Sequence, residues 1–505
     1  MKGLRLRPGL AAAALAAGCA TPGPQQALEP IEAEFSSWSA VTAEVSAAPV
    51  TSDWLGDLGD PLAEAVVRQA VAENFDLQAT AMRVVAARNQ ARATRAGLLP
   101  QVSSGLNGSR SGGPIIFNGQ QFADQFQTNF DLGLSLDWEA DVWGRLTDRT
   151  RAAYLDAAAR DLDYAAARLS LAGNAAQAHY DLTAAKLQRQ LAERDVRTGE
   201  ANLRIIERRY RRGLSTSLDL RLARSSLGSS RAALKSRIQQ ELEARRRLEV
   251  LLGQYPAATV EAAVGLPDPD AIRAEGGAAG LGTPETLLAR RPDILAAERR
   301  LKAAGLRVSE ARKAFLPTIS VRASVTENAL PDPGSSVASF EDLFDFDLLS
   351  KRLVGNLTQP IFQGGRLIAN ERAAKAEARA ALYDYATSAL TAWREVEDAI
   401  AAERLLTERQ AELEVAFEEA KGAEELTERR YLAGTTNIFD LINAQQRRIQ
   451  AEGQLIDAKR ARLSNRIDLY LALGAPYVID DEGATAFAAA EPDSAESGDI
   501  HGGTS

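Results

Sequence analysis

From Phe126 to Trp138 the chain alternates between two kinds of position. Phe126, Thr128, Phe130, Leu132, Leu134, Leu136 and Trp138 fall on one side of an extended segment, and Gln127, Asn129, Asp131, Gly133, Ser135, Asp137 and Glu139 on the other. A period of two predicts a strand with one greasy and one wet face. Val102, Ser104 and Leu106, then Ile319, Val321, Ala323 and Val325, then Leu353, Gly355 and Leu357 repeat the pattern more weakly. Gly112-Gly113-Pro114 with Asn118-Gly119, and Pro331-Asp332-Pro333-Gly334, are turn-forming. Strand pairs are therefore expected within 100–143 and 317–362.

Elsewhere the period is helical. Leu382, Tyr385, Ala389, Ala392, Val396 and Ala399 follow the 3,4 spacing of a supercoil seam. Ala386, Leu390, Trp393 and Ile400 make a second stripe about 100° round the helix. Two seams mean two neighbours, which fits a sheet or cylinder of helices and also a multi-helix bundle. All 19 prolines lie outside the runs 115–255 and 361–475, so long helices are allowed there. Stretches 144–212 and 365–433 read as helices of about 100 Å each at 1.5 Å per residue. Gly213 and Gly434 then supply the backbone for a reversal into returning helices, 216–252 and 437–473.

The chain repeats itself. Glu207-Arg208-Arg209-Tyr210, Gly213, Asp219, Leu220 and Ala223 reappear 221 positions later as Glu428-Arg429-Arg430-Tyr431, Gly434, Asp440, Leu441 and Ala444. Gly144-Arg145-Leu146 returns at the same offset, and Leu99-Pro100 returns as Leu316-Pro317 at an offset of 217. The organisation expected is repeat 1 over 61–253, a linker over 254–283, and repeat 2 over 284–474. In each repeat a first helix, 61–99 or 283–316, precedes the strand pair, the long helix, a tip at 213–219 or 434–440, and the returning helix. Asp60-Pro61 is a helix-start signal. The Ala/Glu/Ser/Gly tail 475–505 is expected to be disordered.

Residues 1–18 read as an export signal, with Lys2, Arg5 and Arg7 before a short apolar run that ends at Leu15-Ala16-Ala17-Gly18-Cys19. Cys19, the only cysteine, sits where a bacterial lipoprotein is cleaved and acylated, so 19–60 is expected to be a lipid-anchored segment; an ordinary signal with an incidental cysteine is the alternative. No segment is apolar for long enough to form a transmembrane helix. A net charge of −9 disfavours nucleic-acid binding, and one Cys and two His leave little for metal or thiol chemistry. If the strands lie in lipid, their open edges are forbidden, and four strands fall short of the roughly eight a membrane barrel needs. Three chains would supply twelve. A soluble hairpin with one wet face is the other reading of the same alternation.

Several motifs occur in order: the lipoprotein signal, the tandem repeat, the run Asp137-Trp138-Glu139-Ala140-Asp141-Val142-Trp143-Gly144-Arg145, its counterpart Gln359-Pro360-Ile361-Phe362-Gln363-Gly364-Gly365-Arg366, and the Tyr-x-x-Gly…Asp-Leu helix turns. Together, over about residues 19–475, they resemble the TolC-like outer-membrane factors of tripartite efflux systems, in particular the lipoprotein group called NodT-type. The resemblance implies a mostly α protein with a transmembrane β part. It would be a homotrimer with a twelve-strand outer-membrane β-barrel continued by a twelve-helix periplasmic α-barrel. The implied role is passive export of drugs or other small molecules received from an inner-membrane pump, of RND type, through a periplasmic adaptor. Phe130, Leu132, Leu134 and Leu136 would face lipid, and Asp131, Asp137 and Glu139 a wet lumen. Tyr210, Gly213, Ser217, Asp219, Tyr431, Gly434, Thr436 and Asp440 would form the periplasmic tips, the gate and the adaptor contact. In the family a tyrosine, an acidic residue and often an arginine hold neighbouring helices together there. Tyr431 and Asp440 fit, but no arginine directly follows Gly434. Plain helix capping is the alternative role for Asp219 and Asp440.

No catalytic group, cofactor or metal site is expected. Asp137, Glu139 and Asp141 share one strand face, as a wet lumen requires, so they do not read as a glycosidase pair. Gly276–Gly282 lacks the Lys-Ser/Thr of a phosphate loop. His179 reads as a packed or wall-facing helix residue, and His501 lies in the tail. A lipid-anchored periplasmic coiled-coil structural or adaptor protein without a pore is the competing class.

Overall fold

A computed structural model describes residues 54–57, 59–117, 120–269, 284–329 and 349–474. The expectations for the export signal, Cys19, the segment 19–53, the turn residues Asn118-Gly119 and Pro331–Gly334, Gly276–Gly282, and the tail with His501 lie outside the described residues.

In chain order the elements are α1 (Trp54–Asp57), α2 (Pro61–Glu73), α3 (Phe75–Ala96), β1 (Gln101–Phe117), β2 (Gln120–Ala140), α4 (Arg145–Arg211) and α5 (Ser217–Leu251). They continue with α6 (Pro284–Leu288), α7 (Pro292–Lys313), β3 (Thr318–Ala329), β4 (Ser350–Thr358), α8 (Arg366–Leu432) and α9 (Ile438–Ala472). The long helices α4 and α8 have 67 residues each, and α5 and α9 have 35 each. Among the described residues none of these helices is apolar enough to cross a membrane.

The first helix of each repeat is broken, where the sequence reads as one stretch. Asn74 leaves helical backbone between α2 and α3, accepts from Leu77 N with its side-chain oxygen and donates to Leu251 O with its amide. In repeat 2 the break falls before Pro292, a residue that disfavours helical backbone at the position preceding it.

Two compact units are present. One contains Arg83–Leu162 and Ala296–Thr387 and holds the sheet; the other contains 54–82, Asp163–Leu295 and 388–474 and holds the helix turns. In the first, β1-β2-β3-β4 form one antiparallel sheet in sequence order. Val308 and Ala304 of α7 pack on Ala378 of α8.

The second unit has a core of Trp54, Val67, Ala172, Ala176, Tyr180, Leu182, Leu248, Leu463 and Ile467. Its many alanines let helices approach closely, and Trp54 stacks on Tyr470 at 5.9 Å between ring centres. Within the predicted α8 seam, Tyr385, Ala389, Ala392, Val396 and Ala399 are all buried. Of the second stripe, Ile400 is buried and the Trp393 ring N–H donates to Pro284 O at 3.0 Å, while Leu390 stays open. Glu249 is fully buried at the end of α5, where its carboxylate accepts from the N–H groups of Ala258 at 2.7 Å, Thr259 at 2.5 Å and Val260 at 3.1 Å. Burial alone would raise its pKa, but these donors hold it below the ordinary carboxyl value, and they pin the start of the linker to the helix end.

His179 is buried beside Tyr180, with Nε2 3.4 Å from Asp60 Oδ2. Asp60 also caps α2 through Leu62 N and Ala63 N. Burial works against the Asp60 charge, yet the nearby His179 imidazole and the two cap N–H groups hold the carboxyl pKa below its usual 3.8. A depressed carboxyl pKa contributes stability above the unfolded value, and that contribution is lost as the pH falls through the folded value. Asp60→Asn keeps a cap but removes the charge. Its melting temperature in detergent is expected to lie below wild type at pH 6, and the gap to close below about pH 4, the ordinary carboxyl range. A gap unchanged down to pH 3 would show that the charge contributes nothing.

Candidate functional site

The sheet has two chemically distinct faces because alternate residues of each strand share a face and the registers line these sets up across the sheet. On one face Leu136 lies between Val102 and Ala323, with Leu353 beyond; Leu134 lies between Ser104 and Val325; and Leu132 pairs with Leu106. On the other, Asp137 lies between Gln101 and Arg322, Ser135 between Ser103 and Ser324, and Asp131 between Asn107 and Asn328. The apolar face is open: Val102 is 69% exposed, Leu134 57%, Leu353 75% and Leu357 71%. Phe130, Leu132 and Leu136 on the same strand are half-buried. The outer strands β1 and β4 each carry one unpaired edge among the described residues.

The three acidic residues expected on the wet face are not equivalent. Arg322 Nε donates to Asp137 at 2.5 Å directly across the β2–β3 ladder, and Arg145 at the start of α4 donates to both oxygens of Glu139, at 2.7 and 3.0 Å. These two charges are thus matched on the spot. Asp141 is not on the strand face at all. It follows β2 and accepts from Leu146 N at 2.9 Å, Thr147 N at 2.7 Å and the Thr147 hydroxyl at 2.6 Å, which caps α4. Two tryptophans near it fasten the connections at the ends of the strands: Trp138 of β2 donates to Leu98 O, in the turn before β1, at 3.0 Å, and Trp143, in the turn before α4, donates to Pro317 O, just before β3, at 2.7 Å.

At the helix turns both repeats use one device. Gly213 has φ +69° and Gly434 φ +77°, the left-handed region that glycine enters without penalty. In each turn the glycine N–H returns to the tyrosine carbonyl, and the next N–H returns to the arginine before it: Leu214 N to Arg209 O at 2.8 Å, Thr435 N to Arg430 O at 2.9 Å. Of the turn residues placed to cap the returning helices (Ser215, Thr216 or Ser217, and Thr435, Thr436 or Asn437), one in each turn does so. Thr216 caps α5 in a reciprocal box, with Thr216 N bonded to Asp219 Oδ2 at 2.8 Å and Asp219 N to Thr216 Oγ1 at 3.2 Å. Asn437 caps α9 by accepting from Asp440 N at 2.9 Å, and the Thr436 hydroxyl binds Asp440 Oδ2 at 2.5 Å. Asp219 and Asp440 therefore both have local capping partners.

The two tip tyrosines differ. Tyr431 is buried with Ile206, Ala223, Ile438 and Leu441, and the Arg209 guanidinium lies 5.3 Å from its ring centre. Burial raises the Tyr431 hydroxyl pKa, Arg209 opposes the rise and Asp219 adds to it. Tyr210 is 44% exposed, and Leu214, Leu218, Leu432 and Phe439 around the turns are also open. Sequence reasoning does not single out Arg209, Arg145 or Arg322. The first two stand inside motifs that the chain repeats, which is a usable signal; nothing local marks Arg322.

A cavity of about 600 Å³ in the second unit is lined by Arg291, Asp293, Glu395, Asp398, Asn465 and Asp468. Arg291 is committed to Asp293 at 2.8 Å, Glu395 at 2.7 Å and Ala472 O at 3.1 Å, so it closes the end of α9. Among the described residues no group of three His, Cys, Asp or Glu could hold a metal ion.

The family model described as outer membrane efflux protein matches the chain twice, over residues 66–254 and 283–475. The pyoverdine export outer membrane protein OpmQ of Pseudomonas putida is 31% identical over 454 residues, 88% of this chain and 92% of that protein. Outer membrane protein OprJ of Pseudomonas aeruginosa is 31% identical over 449 residues, 88% and 90% of the respective chains. The crystal structure of a membrane protein from Pseudomonas aeruginosa superposes with a TM-score of 0.74 at 31% identity, covering 86% of this chain and all of that one. With both halves matched, and with an apolar sheet face that none of the described residues covers, the chain belongs to the outer membrane efflux protein family.

Proposed function

We propose that this outer-membrane efflux component, with the fold of its family, works as a homotrimer in which three four-stranded sheets close a twelve-strand barrel and twelve helices continue it as a periplasmic α-barrel. The observation that carries this reading is the amphipathic sheet, which has two unpaired edges and an open apolar face among the described residues. Lipid tolerates the face but not the edges, and only closure with further copies satisfies both conditions.

Phe130, Leu132, Leu134 and Leu136 then face lipid, and Asp131, Asp137 and Glu139 line the lumen. Since Asp137 and Glu139 have arginine partners, Asp131 is left as the main acidic charge of the three. The tips around Tyr210, Gly213, Ser217, Asp219, Tyr431, Gly434, Thr436 and Asp440 meet a periplasmic adaptor that links the duct to an inner-membrane pump of RND type. The open leucines and Phe439 there support that contact. Cys19 carries a lipid anchor. The duct is passive and performs no catalysis, its cargo being drugs or other small molecules chosen by the pump.

A deletion strain of the source bacterium, alone and combined with loss of each candidate pump, tests the role. Deletion is expected to raise susceptibility to several small-molecule toxicants, with no further rise when the cognate pump is also lost. Unchanged susceptibility and an unchanged rate of dye efflux would overturn the reading.

A further inference from the structure

The two helix turns are built alike but charged differently. Between 197 and 224 the chain has eight arginines against three acidic residues, a balance of +5. The equivalent stretch 221 positions on, 418–445, has three cationic residues against six acidic ones, a balance of −3. Arg197 and Arg204 stand where repeat 2 has Glu418 and Glu425, Glu200 where it has Lys421, and Arg211 and Arg212 where it has Leu432 and Ala433. Both turns use the same backbone hydrogen bonds and the same left-handed glycine, so the reversal of the chain does not require the difference.

Packing does not require it either. Arg197, Arg204, Arg208 and Arg211 follow a 7,4,3 spacing along one face of α4, and all four are exposed, as are Arg212 and Arg221. That face lies across the helix from Ile206, which is buried with Tyr431. None of the six has an ion-pair partner among the described residues, whereas charges close by are matched: Arg224 with Glu207 at 3.0 Å, and Arg448 with Glu424 and Glu452 at 2.8 Å each. Compensation of the helix dipole accounts for cations in the last turn of α4, as for Arg429 and Arg430 in α8. It does not reach Arg204 and Arg197, about two and four turns earlier. Nor does it favour Arg221, near the start of α5, where the dipole favours anions.

We infer that the two turns take different faces of the adaptor: the repeat 1 turn binds a carboxylate-rich protein surface, and the repeat 2 turn binds a surface with apolar side chains at its end and cationic ones beside them. The inference rests on the adaptor contact proposed above and deepens it by giving the chemistry of the partner. A guanidinium presents a planar fork that a carboxylate fills with two parallel hydrogen bonds, and the first turn offers six that nothing in the chain uses. At the second turn the open groups are Leu432 and Phe439, with Glu418, Glu419 and Glu425 further along α8. One acidic face offered to both turns would be attracted at the first and repelled at the second, and like charges brought together in an interface are costly. The adaptor therefore meets this protein with two chemically distinct faces, and the two turns cannot exchange places beneath it.

Charge reversal in the full-length protein, in the source bacterium, tests this. Arg204→Glu, Arg208→Glu and Arg211→Glu are combined in one chain, and ethidium efflux and outer-membrane trimer are measured beside wild type and the deletion strain. Trimer at the wild-type level with efflux lowered about five-fold or more is the expected result. Arg204→Lys, Arg208→Lys and Arg211→Lys together keep the charge and are expected to hold efflux within about two-fold of wild type. Selection for regained efflux in the reversed strain is expected to yield changes of Asp or Glu to Lys in a second protein. The mirror variant, Glu418→Arg with Glu425→Arg, makes the second turn resemble the first and is expected to lose efflux to a similar degree. Unchanged efflux in the reversed variant, where deletion abolishes efflux, would overturn the inference and leave the duct standing. Loss of trimer would assign the arginines to assembly, and an equal loss with lysine would assign them to shape; either result overturns it as well. An unaffected mirror variant would remove the distinction between the turns. Efflux in the deletion strain equal to wild type would remove the duct itself.

Discussion

Leu134→Arg is expected to lower the amount of protein recovered as assembled trimer in the outer membrane by ten-fold or more. Leu134 lies in the middle of the open apolar face, between Ser104 and Val325, and is more than half exposed in the chain by itself. An arginine on the lipid face of a membrane barrel costs about 2–4 kcal/mol near the bilayer midplane, and a homotrimer bears that cost three times. Ser135→Arg is the matched control, one residue along and therefore on the opposite, polar face, where it meets Ser103 and Ser324. It is expected to assemble at near wild-type levels and to alter only the passage of charged solutes. Membrane fractionation and non-denaturing gels give the readout. Equal assembly of the two variants would show that the sheet does not separate lipid from water.

The second large effect concerns the junction where repeat 1 ends. Gly253 has φ +70°, and a Cβ added there would stand 2.6 Å from Glu73 O, a backbone atom that cannot step aside. Gly253→Ala combines the left-handed backbone penalty of about 1–2 kcal/mol with this clash. The sum is expected to exceed about 3 kcal/mol, in the range where single substitutions unfold marginal domains. Gly59→Ala separates the two causes, since Gly59 has φ +61° and a Cβ added to it would meet nothing within 4 Å. It is expected to cost only the backbone part, about 1–2 kcal/mol. Urea unfolding in detergent, followed by the helical signal, distinguishes them. Comparable losses for both variants would mean that the α2–α5 contact yields without cost.

Local signals locate most elements. The period of two finds β2 because side chains on a strand alternate by geometry, while freedom from proline permits the long helices and the repeated glycines at 144, 213, 365 and 434 bound α4 and α8 to within a residue. Where the sequence misleads, a distant partner decides. Asn74 breaks the first helix while its amide holds Leu251 O, and no nearby residue announces that bond. At the returning helices the sequence leaves three adjacent candidates per turn, and the structure selects Thr216 and Asn437, the ones that keep extended backbone. Asp141 looks like a third carboxylate on a strand face, but the strand ends one residue before it.

The sequence by itself determined the tandem repeat, the two-faced strands, the long helices and their glycine turns, since each is written in spacing along the chain and follows from the geometry of a single element. Tertiary structure alone decided that Arg322 neutralises Asp137, that Arg145 takes Glu139, and that Tyr431 is buried under Arg209 while Tyr210 is left open. Most of these pairings join segments far apart in the chain. The free energy that selects them comes from register and packing between elements, and the same Glu-Arg-Arg-Tyr sequence meets two different surroundings.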